Sequence, residues 1–256
     1  MKMNFKKSIV VTLVTLIALP GFAQHKIAMS SGVIEFREIM ELKVEGYDGN
    51  EVILGTSSDY KIPERAKGLR PVNGMGLKDN TGVGLAVQDE SNGHKVVYQV
   101  ARNSDAKYEV KVPKGVVVKY VNSSIHGDDF LAKNISNEIE VKTHGGDIKL
   151  QDVTGPLSAN SVHGDIEVTF TVVNQKLPVS VASVHGDVDV AVPNGTDADL
   201  SIKTSWGEVY SDLDIKVERH DDMKVYGAKK IEGKLNAGGV AMAISSTHGN
   251  VYLRKK

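Results

Sequence analysis

Apolar and polar residues alternate in short runs along the second half of the chain. Ile148 and Leu150, then Ile166, Val168 and Phe170, then Val188, Val190 and Val192, and finally Val251 and Leu253 share one parity. Lys149, Glu167 and Asp189 take the other. A period of two predicts strands with one buried and one wet face. Similar runs precede them, such as Val179 to Val184. Between the paired runs a phrase recurs: Ser124-Ile125-His126-Gly127-Asp128, Thr143-His144-Gly145-Gly146-Asp147, Ser161-Val162-His163-Gly164-Asp165 and Ser183-Val184-His185-Gly186-Asp187. Thr204-Ser205-Trp206-Gly207-Glu208 and Ser246-Thr247-His248-Gly249-Asn250 are diverged copies. From His126 the steps are 18, 19, 22 and 21 residues to Trp206, then 42 to His248. A period near 20 implies one unit stacked on itself, here strand, tight turn, strand, corner. Single hairpins of this size are marginal, whereas stacked units bury a continuous apolar strip. The predicted fold is all-β, a β-solenoid or β-helix-like stack. The double step after Trp206 predicts a diverged unit or a long excursion, with Arg219-His220-Asp221-Asp222 as a solvated bend.

The first half is less regular. Lys26 to Phe36 alternates, and Phe36 to Val44 fits a short helix or a strand. Glu45 to Leu54 reads as a hairpin turning at Asp48-Gly49. Tyr60 to Asn80 carries Pro63, Gly68, Pro71, Gly74 and Gly76 and reads as a long surface loop. Val83–Val87 and Lys95–Val100 form a second hairpin through Ser91-Asn92-Gly93. Strands end at Pro113-Lys114-Gly115 and at Pro193-Asn194-Gly195, because proline donates nothing to a ladder.

Composition adds a compartment. Lys2, Lys6 and Lys7 precede an apolar stretch from Ile9 to Leu19 and the small residues of Gly21-Phe22-Ala23. This pattern predicts a signal peptide over 1–23, cut before Gln24, and one β-repeat domain over 24–256. Within it, 24–112 is the less regular part and 113–254 the repeats. The apolar stretch is short for a membrane span, and no later segment approaches that length. Removing three lysines turns the net charge from −1 to −4, which gives no reason to expect nucleic acid. With no cysteine in the chain, disulfides, thiol nucleophiles and thiolate metal sites are excluded.

The turn has an architectural reading. Gly127, Gly145, Gly164, Gly186, Gly207 and Gly249 supply a positive φ. Asp128, Asp147, Asp165, Asp187 and Asn250 cap the turn through nearby amides. Ser124, Ser161, Ser183, Thr204 and Ser246 stack as a hydroxyl ladder. That leaves His126, His144, His163, His185 and His248 as a candidate binding column. Imidazoles on strands about 4.8 Å apart could share zinc at about 2.0–2.1 Å, although Trp206 interrupts the row, and no metal or cofactor is expected. A row of histidines also titrates near neutrality. Asp165, Asp187 and Glu208 could line up as in a polysaccharide-active β-helix enzyme. Gly-x-Ser-x-Gly and His-Glu-x-x-His are both absent from the sequence.

Ile231 to Gly239, followed by Ala243 to Leu253, resembles the closing module of the bacterial adhesin-like β-strand-repeat proteins, a family of unknown function grouped as toastrack-like. Val192 to Leu200, Trp206 to Val209 and Val112 to Gly115 are similar to its central repeats. The resemblance covers most of 108–253. It implies an exported envelope protein, periplasmic, cell-surface or secreted, with a solenoid-like fold and no established catalytic residues. Some relatives are tied to envelope-stress sensing. Histidine stands here where Asn or Ser is common in the family turn. The expected activity is non-catalytic, through surface contacts with an envelope protein or glycan. The alternatives are a stress-sensing module with a protein partner and a polysaccharide-active enzyme.

Overall fold

The computed structural model describes residues 24–56, 63–101, 107–217 and 229–256. The expected signal peptide and the Arg219–Asp222 bend lie outside these residues. The strands form two sheets, one of ten strands and one of eleven. Each repeat gives the strand before its His-Gly-Asp turn to the larger sheet and the strand after it to the smaller, so the turn is an arc joining the sheets. Leu157–His163 runs parallel between Ile139–Gly145 and Val179–Ser183. Its partner across the arc, Ile166–Phe170, runs parallel between Ile148–Val153 and Val188–Val192. This is a two-sheet β-solenoid, as the alternation predicts. Ile166, Val168, Phe170, Val188, Val190 and Val192 are at most 1% exposed and belong to one apolar cluster filling the space between the sheets. Val and Ile suit that interior because their branched side chains pack well on a pleated surface.

The first half joins the same stack. Gly32–Arg37 and Glu41–Tyr47 form a rung beside Val116–Asn122 and Phe130–Lys133. Phe36 to Val44 is therefore strand, arc and strand, with no helix. Leu85–Asp89 and His94–Gln99 form the expected antiparallel hairpin, with Asn92 at φ 62° in its turn. The hairpin expected at Asp48-Gly49 does not form. Glu41–Tyr47 and Glu51–Thr56 are separated by Lys107–Pro113, which is parallel to the first and antiparallel to the second. That inserted strand satisfies the backbone edges of both neighbours. Residues 63–80 form a mostly exposed loop held by Asp79, whose carboxylate accepts from the Thr81, Gly82 and Gly84 amides.

Rung order departs from chain order at one place. Val240–Ser246 and Val251–Lys255 lie between the rung of Val179–Ser183 and Val188–Val192 and the rung of Ala198–Thr204 and Val209–Ser211. The long step after Trp206 is thus an excursion. Its described strands, Ile215–Val217 and Lys229–Leu235, pair antiparallel and cover the edge of Ala198–Thr204. Among the described residues no helix is long and apolar enough to cross a membrane.

Candidate functional site

Four side-chain columns run along the arc, and three of them hold it together. The glycines form the first, for a reason other than the expected positive φ. Gly164, Gly186, Gly207 and Gly249 all have ordinary φ values; in this arc only the additional Gly146 is left-handed, at 81°. A Cβ on Gly186 would sit 2.0 Å from the Gly164 carbonyl oxygen, and one on Gly249 2.3 Å from that of Gly186. Gly207 and Gly164 are as crowded, while Gly145 and Gly127 meet the next backbone at 2.5 and 3.1 Å. Glycine is required because adjacent rungs approach too closely for a side chain.

The hydroxyls form the second column. They bridge rungs instead of bonding one another. Ser183 Oγ donates to the Gly164 carbonyl at 3.0 Å and accepts the Gly186 N–H at 2.9 Å. Ser246 repeats this with Gly186 and Gly249, and Thr204 with Gly249 and Gly207. Thr143, directly before His144, pairs in register with Ser161 and stands in the same column, but the Thr143 and Ser161 hydroxyls make no bridge among the described residues. Ser124 accepts only the local His126 amide.

The third column is acidic. Each carboxylate accepts the backbone N–H of its counterpart on the next rung, not an amide of its own turn. Asp129 accepts from Asp147, Asp147 from Asp165, Asp165 from Asp187 and Asp187 from Asn250, at 2.7–2.9 Å. The Asn250 side-chain oxygen takes the Glu208 N–H at 2.9 Å. The expected Asp128 is displaced by its neighbour Asp129, because the arc after Val116–Asn122 is longer than the others.

The imidazoles form the fourth column, and its outer edge is exposed. His144 and His163 stack at 5.7 Å between ring centroids, His163 and His185 at 4.6 Å, and His185 and His248 at 4.5 Å. Trp206 lies parallel to His248 within 4°, at 6.5 Å. Trp206 interrupts the row in sequence only. In space it caps the row, since the rung carrying His248 threads back inside. His126, on the longer arc, makes no ring contact with the row among the described residues. The His248 Nδ1–H donates to the Val184 carbonyl at 3.1 Å, which leaves Nε2 facing outward. His185 is held below the usual imidazole range, first by desolvation and then by its neighbours His248 and His163. Near-parallel rings direct their in-plane lone pairs side by side, so they do not converge on one ion. Among the described residues no three His, Asp or Glu side chains are placed to hold a metal.

Two features escape the sequence pattern. A groove of about 630 Å³ on the outer face of the smaller sheet is lined by Glu41, Asp128, Asp129, Asp147, Asp165 and Glu167 together with Lys43, Lys107 and Lys149. Lys149 is paired to Glu167 at 2.6 Å and Lys107 to Glu41 at 3.0 Å. On the larger sheet, Glu35 is only 6% exposed. It is bonded by Arg37 Nε and lies 3.0 Å from His94 Nε2. The carboxylate raises the Arg37 guanidinium above its already high range. Charged residues at alternating positions of Gly32–Arg37 were the only sequence trace of this cluster.

Stacked parallel rungs, a glycine-packed arc and ladders of like side chains define a toastrack-type solenoid. The chain belongs to the Toastrack DUF4097 family, whose model matches residues 114–254. A cell-adhesion-like protein of Clostridium sporogenes ATCC 15579 is 11% identical, with a TM-score of 0.48 over 92% of this chain and 100% of its own. An adhesin-like protein of Bacteroides fragilis NCTC 9343 is also 11% identical, with a TM-score of 0.35 over 93% and 98%. No curated protein matches the sequence.

Proposed function

We propose that the protein is exported, with residues 1–23 removed as a signal peptide, and that it acts without catalysis as an adhesin-like element of the cell envelope. The observation that carries this reading is the exposed aromatic row: His144, His163, His185, His248 and Trp206 on consecutive rungs of a rigid arc. Such a row is an extended surface. Its backbone is locked by three ladders, so little ordering entropy opposes binding. The test is co-sedimentation of residues 24–256 with a washed envelope fraction. Saturable pelleting is expected, weakened at least about tenfold when the four stacked histidines become alanine, which corresponds to about 1.4 kcal/mol. Complete retention in the supernatant overturns the reading.

The carboxylate groove favours a second reading, a polysaccharide-active β-helix enzyme. Its acids are largely engaged: Asp147 and Asp165 accept amides, and Glu41 and Glu167 are ion-paired. Reducing-end release from a polysaccharide panel, abolished by Asp165→Asn, would establish this reading in place of the first.

A further inference from the structure

The single tryptophan of the chain is 79% exposed. It occupies the column that histidine fills elsewhere, and it does so on the rung where the column stops. Among the described residues Val209–Ser211 is the outermost strand of the smaller sheet, paired with Val251–Lys255 alone. At the same end the larger sheet continues through Lys229–Leu235. One face of the indole rests on His248, and its other face looks out along the stack. Four residues on, Tyr210 repeats the arrangement. It stacks on Tyr252 at 5.4 Å and 13° between planes, and it is 53% exposed. Tyr252 is steadied by Arg254, which lies over the ring and donates Nε–H to both carboxylate oxygens of Asp189.

Two aromatic columns therefore end on the same rung, four residues apart, with both terminal rings exposed. Each ring lies nearly parallel to the ring beneath it, which orients both outer faces the same way along the stack. Beside them Ser211 and Asp212 are polar and exposed; the Ser211 hydroxyl accepts the Leu213 N–H and Asp212 Oδ1 the Lys255 N–H, and both groups keep further acceptor capacity. A flat π face attracts the positively polarised C–H groups of a partner, and nearby carboxylate and hydroxyl oxygens accept O–H groups. Open faces beside acceptors match the face and rim of a pyranose ring better than a protein side chain seeking burial.

We infer that Trp206 and Tyr210 form a carbohydrate-binding platform at this end of the solenoid, taking the apolar faces of neighbouring sugar units of a glycan. This rests on the adhesin-like reading and names its ligand class.

Trp206 reports on the site directly, because indole emission has no other source in the chain. Residues 24–256 are applied to a glycan array, and the fluorescence is titrated with cellotetraose, chitotetraose and maltotetraose. Binding to at least one array glycan is expected, together with a saturable emission change at or below about 1 mM for one tetraose. Trp206→Ala and Tyr210→Ala should each lose at least about tenfold in array binding while keeping the wild-type melting curve, since both rings are exposed. Array binding unchanged in both variants overturns the platform and leaves adhesion standing. Envelope pelleting that depends on Trp206 without any bound glycan means a protein partner, and also overturns it. Loss of both array binding and pelleting in the wild type overturns the platform and the adhesin-like reading together.

Discussion

The two long edges of the solenoid obey different rules. Along the His-Gly-Asp edge the rungs from Phe130–Lys133 onward are bonded through the Asx ladder and packed at glycine, and hydroxyl bridges join them from Ser183 onward. Along the opposite edge the corners run over 154–156, 171–178 and 193–197, and their lengths differ. The first still bonds its neighbour, Thr154 N–H to the Ile135 carbonyl. The longer two rely partly on themselves: the Lys176 amide bonds Asn174, and the Thr196 hydroxyl bonds the Pro193 carbonyl. From Thr143 onward, this edge of contacts between rungs keeps the turn at one length, four residues from the hydroxyl to the Asx position. An edge whose segments close locally leaves length free. The lengthening of the repeat from 18 residues between Thr143 and Ser161 to 22 between Ser161 and Ser183 thus falls on the corner side.

The largest expected difference lies between an arc glycine and a glycine of the longer corners; the short corner at Gly155 is as crowded as the arc. Gly186→Ala forces a methyl group against the Gly164 backbone and should cost about 3 kcal/mol or more. Gly195→Ala, in a corner with φ 81° and open space around it, should cost about 1–2 kcal/mol. Urea unfolding of both variants checks the order, and equal losses would remove the distinction between the edges. Hydroxyls come next. Ser246→Ala strips two bonds from a buried bridge and should cost about 2 kcal/mol, whereas Thr196→Ala should cost about 0.5–1 kcal/mol.

The smallest effect is electrostatic. The depressed His185 value means that the unfolded chain binds the proton more readily than the folded one. Stability from this group is full above the ordinary imidazole value of 6.5 and is lost as the pH falls through the folded value. Melting temperature should therefore fall between pH 8 and pH 5, and less steeply in His185→Gln. Identical slopes would show that the stacked row does not couple to folding.

Much of the fold was legible because burial follows parity. Val188, Val190 and Val192 had to share a face, and the recurring turn had to recur in space. What parity cannot specify is the neighbour. Nothing local distinguishes a hairpin at Asp48-Gly49 from two strands parted by Lys107–Pro113. Nor does it reveal that His248 lies between His185 and Trp206. Pairing is settled by contacts distant in sequence, and those contacts decided the site. They moved Trp206 from the middle of the row to its end, excluded His126, and replaced Asp128 with Asp129. The need for glycine was readable, but its cause was not, since crowding by another rung leaves no mark in the turn itself.

The threading of Val240–Lys255 between two earlier rungs also governs how the molecule can be built. Among the described residues the rung of Ala198–Thr204 and Val209–Ser211 pairs with the rest of the stack through that later segment alone. A nascent chain that has emerged only as far as residue 239 lacks the surface on which this rung rests. Assembly cannot advance rung by rung along the sequence, and its slow, non-local step falls at the closing insertion. Until then the two aromatic columns that end at Trp206 and Tyr210 are incomplete, so a partly emerged chain would carry no finished surface for a partner to engage.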